Sequence, residues 1–220
     1  MESSMLNFDN LTERLVEEIR SAAMHLDLYK SIRSSILRYR AGVNRSPNFW
    51  SLTLNAHLES TRASLCRVYD QTSRGNLTIK SWLEEFKAHH LKDEFFEPSE
   101  IDKFNRKPLV PNEIDQDLEL VSSSDELVDT LFKRHRNNEV AHISMKLVSR
   151  GESYWKSYPL TYDDYEKLIS RAENIINKYM AHHNSTSFAL LSIFQKDDYQ
   201  YVMESIEKNA TQQKNAADAS

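Results

Sequence analysis

Three glycines in 220 residues constrain this chain more than any other feature. Average usage is roughly 7%, and glycine supplies the positive-φ and close-approach positions that hairpin turns and phosphate-cradling loops need. Gly42, Gly75 and Gly151 are too scattered to build a GxGxxG or a Walker loop. Rossmann-type dinucleotide binding and P-loop NTP hydrolysis are thereby excluded. A β-sandwich, which needs repeated tight turns, is disfavoured. The chain reads as all-α.

Hydrophobic residues make up 40%, enough for one core, and the length suits one domain or one domain with a helical annex. The net charge of −5 and pI near 5.9 do not describe a generally basic nucleic-acid coat, so such a partner requires a local basic patch. Cys66 is the sole cysteine, which excludes an internal disulfide and a thiolate zinc cluster. The opening MESSMLNF is not a signal peptide, and no apolar run approaches membrane-spanning length. A soluble, cytoplasmic protein without membrane partners is expected.

Residues 10–40 carry Leu11, Leu15, Ile19, Ala22, Leu26, Tyr29, Ile32 and Ile36 at steps of three and four, the stripe of one long helix or a broken pair. Asn10, with Glu13 three residues on, reads as its N-cap. Residues 48–70 form a second helix with Trp50, Leu54, Leu58, Leu65 and Val68 inward, and residues 77–91 a third anchored by Leu77, Trp82 and Phe86. Residues 92–113 hold three of the five prolines, yet also Phe95, Phe96, Ile101 and Phe104, which predicts a packed connecting loop. Helix returns over 113–143, with a kink and new start where Ser123 and Glu126 have capping-box spacing. Residues 144–160 read as a small hairpin or ordered loop. Residues 160–183 are a helix capped by Thr161, with Tyr165, Leu168, Ala172, Ile175 and Tyr179 as its stripe. A last short helix is expected over 197–208 and a disordered tail over 209–220. Trp50, Trp82 and Phe86 read as core, Cys66 as a small buried hydrophobe, and His89-His90 and His182-His183 as helix-end caps or solvated pairs.

One stretch carries chemistry. Leu120, Leu127 and Leu131 point one way, with Val128 and Phe132 beside them, and the same face continues as His135, Asn138 and His142 with Glu139 alongside. A core-facing stripe that turns polar marks a site, because buried polar groups cost free energy unless paired. Arg136 and His142 lie about 120° apart on an ideal helix and flank one groove, which a symmetric second copy would complete. The spacing of an Arg followed by a His is weak by itself, since Arg20 and His25 also show it in an ordinary amphipathic helix. Two other readings stay open at this point. Arg134, His135 and Arg136 suit a solvated basic turn near a helix C-terminus, and His135, Glu139 and His142 suit a divalent metal, although three ligands from one helix converge poorly.

The segment Arg136-Asn137-Asn138-Glu139-Val140-Ala141-His142 resembles the R-N-K-x-x-A-H motif of the AbiU-like abortive-infection proteins of the HEPN superfamily. Asn48-Phe49-Trp50, then Leu65-Cys66-Arg67-Val68-Tyr69-Asp70 and Leu77-Thr78-Ile79, resemble the same group's upstream pattern. Asn138 replaces the group's common Lys and Ser144 its frequent Asp. The chain also lacks the Tyr two residues after the His that marks HEPN toxins paired with nucleotidyltransferase antitoxins.

The resemblance implies a single helical domain over residues 1–208, a bundle of five to six helices that forms a homodimer. It implies a metal-independent endoribonuclease with a composite site and no cofactor, acting in phage defence or toxin-like growth arrest. Arg136 would bind the scissile phosphate and stabilise its developing charge. His142 would serve as general base on the 2′-OH or general acid on the leaving 5′-oxygen, giving a 2′,3′-cyclic phosphate. Asn137 would orient the phosphate or His142. Arg134, His135, Asn138 and Glu139 would support the site or contact RNA. An antitoxin or regulatory protein is a further partner of the kind such proteins have. The alternative is a HEPN-like dimer that binds RNA or a protein without cutting.

Overall fold

The computed structural model describes residues 7–71, 75–97, 107–132, 145, 149, 159–190 and 198–218. They form eight α-helices and one 3-10 turn, with no strand among the described residues. The helix count exceeds five to six because the chain adds two four-residue pieces, α2 (Arg40–Val43) and α6 (Glu126–Asp129).

Helix α1 (Phe8–Ser35) is the central rod, about 42 Å long at 1.5 Å per residue. It begins one turn earlier than the sequence reading placed it. Asn7, not Asn10, is the N-cap, and its side chain accepts the Asn10 N–H at 3.2 Å. The earlier start brings Phe8 into the core, its ring 5.2 Å from Trp82 and 5.9 Å from Phe86. Helix α3 (Pro47–Val68) runs antiparallel to α1. Glu18 meets Arg67, Ser21 meets Ser64 and His25 meets His57 along their length. Pro47 occupies its first turn, where the missing N–H costs nothing. Of its expected inward set, Trp50, Leu65 and Val68 are buried, and Leu54 and Leu58 are half-buried.

Helix α7 (Tyr162–Asn184) is also antiparallel to α1, pairing Tyr162 with Tyr29 at one end and Asn184 with Asp9 at the other. Thr161 caps it in a reciprocal box with Asp164, and the stripe Tyr165, Leu168, Ala172, Ile175 and Tyr179 is buried throughout. Helix α4 (Ile79–His89) closes the end formed by the start of α1 and the end of α7. Gly75 precedes it at φ +97, a turn that only glycine adopts readily. Trp82 is fully buried and its Nε1 donates to Thr12 Oγ1 at 2.8 Å. The connecting loop packs as expected in its described part, where the 3-10 turn Asp93–Phe96 buries Phe95 and Leu109 N–H donates to Phe95 O at 2.8 Å. Ile101 and Phe104 lie outside the described residues.

Helix α5 (Glu113–Leu120) is tied to α7 by charge. Asp117, buried, accepts from Lys178 Nζ at 2.8 Å and Tyr179 Oη at 2.7 Å, so its desolvation is offset by partners. Burial and the Asp117 carboxylate together push the Tyr179 phenol well above its ordinary range.

The other end of α1 carries a separate cluster of Ile32, Tyr39, Val43, Trp50 and Met203. Helix α8 (Asp198–Asp218) supplies Met203 and runs on to Asp218. Residues 209–218, where the sequence reads as a disordered tail, are the last part of that helix. Ala210 is buried, and Ala, Gln and Lys are strong helix formers. The contact with α2 is close: Gly42 N–H donates to Glu207 Oε2 at 2.6 Å, and a Cβ on Gly42 would fall 2.7 Å from Ile206 Cγ1 and 2.8 Å from Glu207 N. No helix among the described residues is long and apolar enough to cross a membrane.

Candidate functional site

Arg134, His135, Arg136, Asn137, Asn138, Glu139 and His142 all lie outside the described residues, as does most of the expected hairpin or loop at 144–160. The structure describes the segment that leads into the motif. Helix α5 ends at Leu120, the chain turns, and α6 starts afresh at Glu126. The restart falls where the capping-box spacing placed it, but Ser123 is not the cap. Asp125 is, and its carboxylate accepts the N–H groups of Leu127 and Val128, both at 3.0 Å. Asp125 also pairs with Arg171 of α7 at 3.0 Å, and Arg171 donates to the Leu120 carbonyl at 2.6 Å. One arginine therefore holds both sides of the break.

The break changes the stripe. Leu120 ends α5 and is exposed, whereas Leu127 lies in α6 and Leu131 follows it, so those three leucines do not form one face. Val128, Thr130, Leu131 and Phe132 are buried. The last described turn before Arg134 is thus anchored in the core, packed against α7, which is the setting a precisely oriented side chain requires.

The histidine pairs at the helix ends do more than cap. His90 ends α4, but its ring lies 4.3 Å from Phe8 and 4.9 Å edge-on from His183. Desolvation, with His183 nearby, holds the His90 imidazole below its ordinary value. His182 packs on Phe95 at 5.3 Å, and only His89 is exposed. The spacing of the two pairs in sequence carried no sign that α4 and α7 end side by side.

Sequence reasoning also passed over two polar clusters. His25 and His57 face each other between α1 and α3, Nδ1 to Nδ1 at 2.9 Å. Burial lowers both imidazoles, His57 further through the charge of His25. Tyr29, Arg33 and Tyr162 form the second, where α1 ends and α7 begins. Neither has a linear signature, since each joins residues from different helices.

One cleft, of about 550 Å³, lies between α1 and α7 and is lined by Leu26, Asp27, Glu166, Ile169, Glu173 and Leu190 among the described residues. Its charged groups are acidic, so it repels a polyanion. A smaller one of about 360 Å³ holds Arg14 and Arg67, but both cations are engaged with Glu18. Among the described residues no cluster of three His, Cys, Asp or Glu side chains has metal-site geometry. Cys66 is buried, as are Trp50, Trp82 and Phe86.

The described residues are helical, and the buried turn Val128–Phe132 precedes the sequence segment that holds Arg136 and His142, a make-up that fits a HEPN-type protein. The sequence profile of the HEPN AbiU2 family matches residues 5–202, and the chain belongs to that family. No curated protein and no solved structure matches it significantly.

Proposed function

We propose that this AbiU2-family protein is a metal-independent endoribonuclease that acts as a homodimer in phage defence or growth arrest. The observation that carries the reading is the segment Arg136-Asn137-Asn138-Glu139-Val140-Ala141-His142, which begins four positions after the buried Phe132 in a chain of the AbiU2 family. In this reading Arg136 grips the scissile phosphate and neutralises charge that develops in the transition state. His142 moves the proton from the 2′-OH or to the 5′-oxygen, a task suited to a group titrating near neutrality. Asn137 orients one of them, and Arg134, His135, Asn138 and Glu139 line the approach. With no glycine-rich loop in the chain, side chains must supply the grip on the phosphodiester.

The test is cleavage of total RNA by the purified protein in EDTA. Cutting is expected without metal, with 2′,3′-cyclic phosphate ends. Arg136→Ala and His142→Ala are each expected to lower the rate by about 10²–10⁴-fold while light scattering still shows a dimer. Normal cleavage by either variant sinks the site. Wild-type protein that shifts RNA in a salt-dependent way but never cuts it sinks the catalytic reading.

A further inference from the structure

Arg33 sits in the last turn of α1 with an exposed guanidinium. Its Nη1 donates to Tyr29 Oη at 2.8 Å and to Tyr162 Oη, and the two phenolic oxygens are 2.6 Å apart. Its Cζ lies 5.3 Å from the Tyr162 ring centre and 5.9 Å from that of Tyr29. The three groups are thus locked together by hydrogen bonds and ring contacts.

The donor count of this cluster is unbalanced. A guanidinium has five N–H donors and no acceptor. Nη1 uses its two on the phenols, which leaves Nε–H and both Nη2 hydrogens. Of the two phenolic O–H groups, one is used between the tyrosines and the other is left over. No carboxylate among the described residues contacts Arg33. Glu166 is engaged by Lys30 and Glu59 by Arg62. A second guanidinium, itself paired with Glu59, lies against the same helix α7. Arg62 Nε donates to Tyr165 Oη at 2.9 Å, one turn along α7 from Tyr162, and its charge is felt at the Tyr162 phenol. The result is a fixed, exposed cation with spare N–H and O–H donors and no carboxylate partner among the described residues, the complement of an oxyanion.

We propose that Arg33, Tyr29 and Tyr162 form a subsite for a backbone phosphate of single-stranded RNA, separate in sequence from the Arg136–His142 segment. The assignment to RNA rests on the ribonuclease reading above. The acidic cleft next to the subsite, with Asp27, Glu166 and Glu173, would keep the strand on the Arg33 side of the Lys30–Glu166 pair. The subsite holds substrate and takes no part in bond breaking.

The test is fluorescence anisotropy with a short labelled single-stranded RNA over a salt series, with cleavage kinetics beside it. Arg33→Ala is expected to weaken binding about 5–20-fold and to flatten the slope of log K against log salt by about 0.7, one phosphate contact on a single strand. Tyr162→Phe, which keeps the ring and all charges, is expected to weaken binding about 2–5-fold with the slope unchanged. In cleavage both variants raise KM and leave kcat in place, whereas Arg136→Ala lowers kcat. Arg33→Ala and Tyr162→Phe proteins that bind and cut like wild type overturn the subsite and leave the ribonuclease reading standing. RNA that wild-type protein neither binds nor cuts overturns both. Loss of binding in Arg33→Ala through misfolding would show as an early thermal transition, and Tyr162→Phe then decides.

Discussion

The two ends of α1 are built differently. At its N-terminal end, polar groups enter the core with partners: Trp82 Nε1 on Thr12, Tyr69 Oη on the Leu168 carbonyl at 2.7 Å, and Asp117 between Lys178 and Tyr179. Burial lifts the Tyr69 phenol far above its ordinary range, so it stays a neutral donor. At the C-terminal end the cluster has five buried residues, and Trp50 Nε1 is buried with no hydrogen-bond partner among the described residues, as is Arg20 Nε in the middle of α1. That end is joined by a clip, in which the Glu207 carboxylate accepts the N–H groups of Ala41 and Gly42 at the start of α2. The lesson is that one rigid rod joins a cooperative core to a smaller annex. Their resistance to opening should differ, since local stability follows buried apolar contact.

The sharpest way to separate them is to damage each in turn. Trp82→Ala empties the centre of the core beneath Phe8 and Phe86, and is expected to cost about 3–5 kcal/mol in denaturant unfolding. A loss below about 1 kcal/mol would mean that the core is not the cooperative unit. Gly42→Ala comes next. Its Cβ would overlap backbone of α8, which cannot yield as a flexible side-chain tip would. A loss of about 1–3 kcal/mol is expected, read as faster hydrogen exchange in α2 and α8 with core amides unchanged. Uniform acceleration would erase the distinction between core and annex.

The smallest effect sits at the boundary. Along α1, Leu26 belongs to the core and Ile32 to the annex, and along α3 the corresponding residues are Leu65 and Trp50. His57 lies between Trp50 and Leu65, and His25, next to Leu26, faces it. Both imidazoles are held below the ordinary value near 6.5. The folded state therefore prefers them neutral, and the unfolded state binds more protons once pH falls through 6.5. Their contribution is complete above that pH and declines below it, because two imidazolium Nδ1–H groups cannot face each other at 2.9 Å. Unfolding midpoints are expected to drop between about pH 6.5 and 5, and His25→Gln to shrink that drop. A His25→Gln profile parallel to wild type would place the titration elsewhere, with His90 the next group to replace.

Local rules made much of this legible. Thr161 and Asp164 are a capping box in sequence and in space, and the stripe from Tyr165 to Tyr179 needs only a period of 3.6 to be found. Failures came where two local signals competed or where distance in sequence hid a neighbour. Asn10 and Asn7 are equally good caps by residue type, and the burial of Phe8 decides for Asn7. Ser123 lost to Asp125 because the carboxylate serves both α6 and Arg171. Residues 209–218 look unstructured until Ala210 and Glu207 are seen to face other helices. The residues of the proposed catalytic segment were named from motif and context. The Arg33 cluster was illegible, since its parts are separated by 129 and 133 positions.

The antiparallel placement of α7 on α1 also has a bearing on synthesis. The apolar stripe of α1 leaves the ribosome before α3, which follows soon enough to cover one flank. Its other flank waits for residues 162–184, and Gly42 waits still longer for Glu207. A nascent chain therefore carries a hydrophobic rod with one flank uncovered until α7 has been made, and closes its annex only once α8 follows.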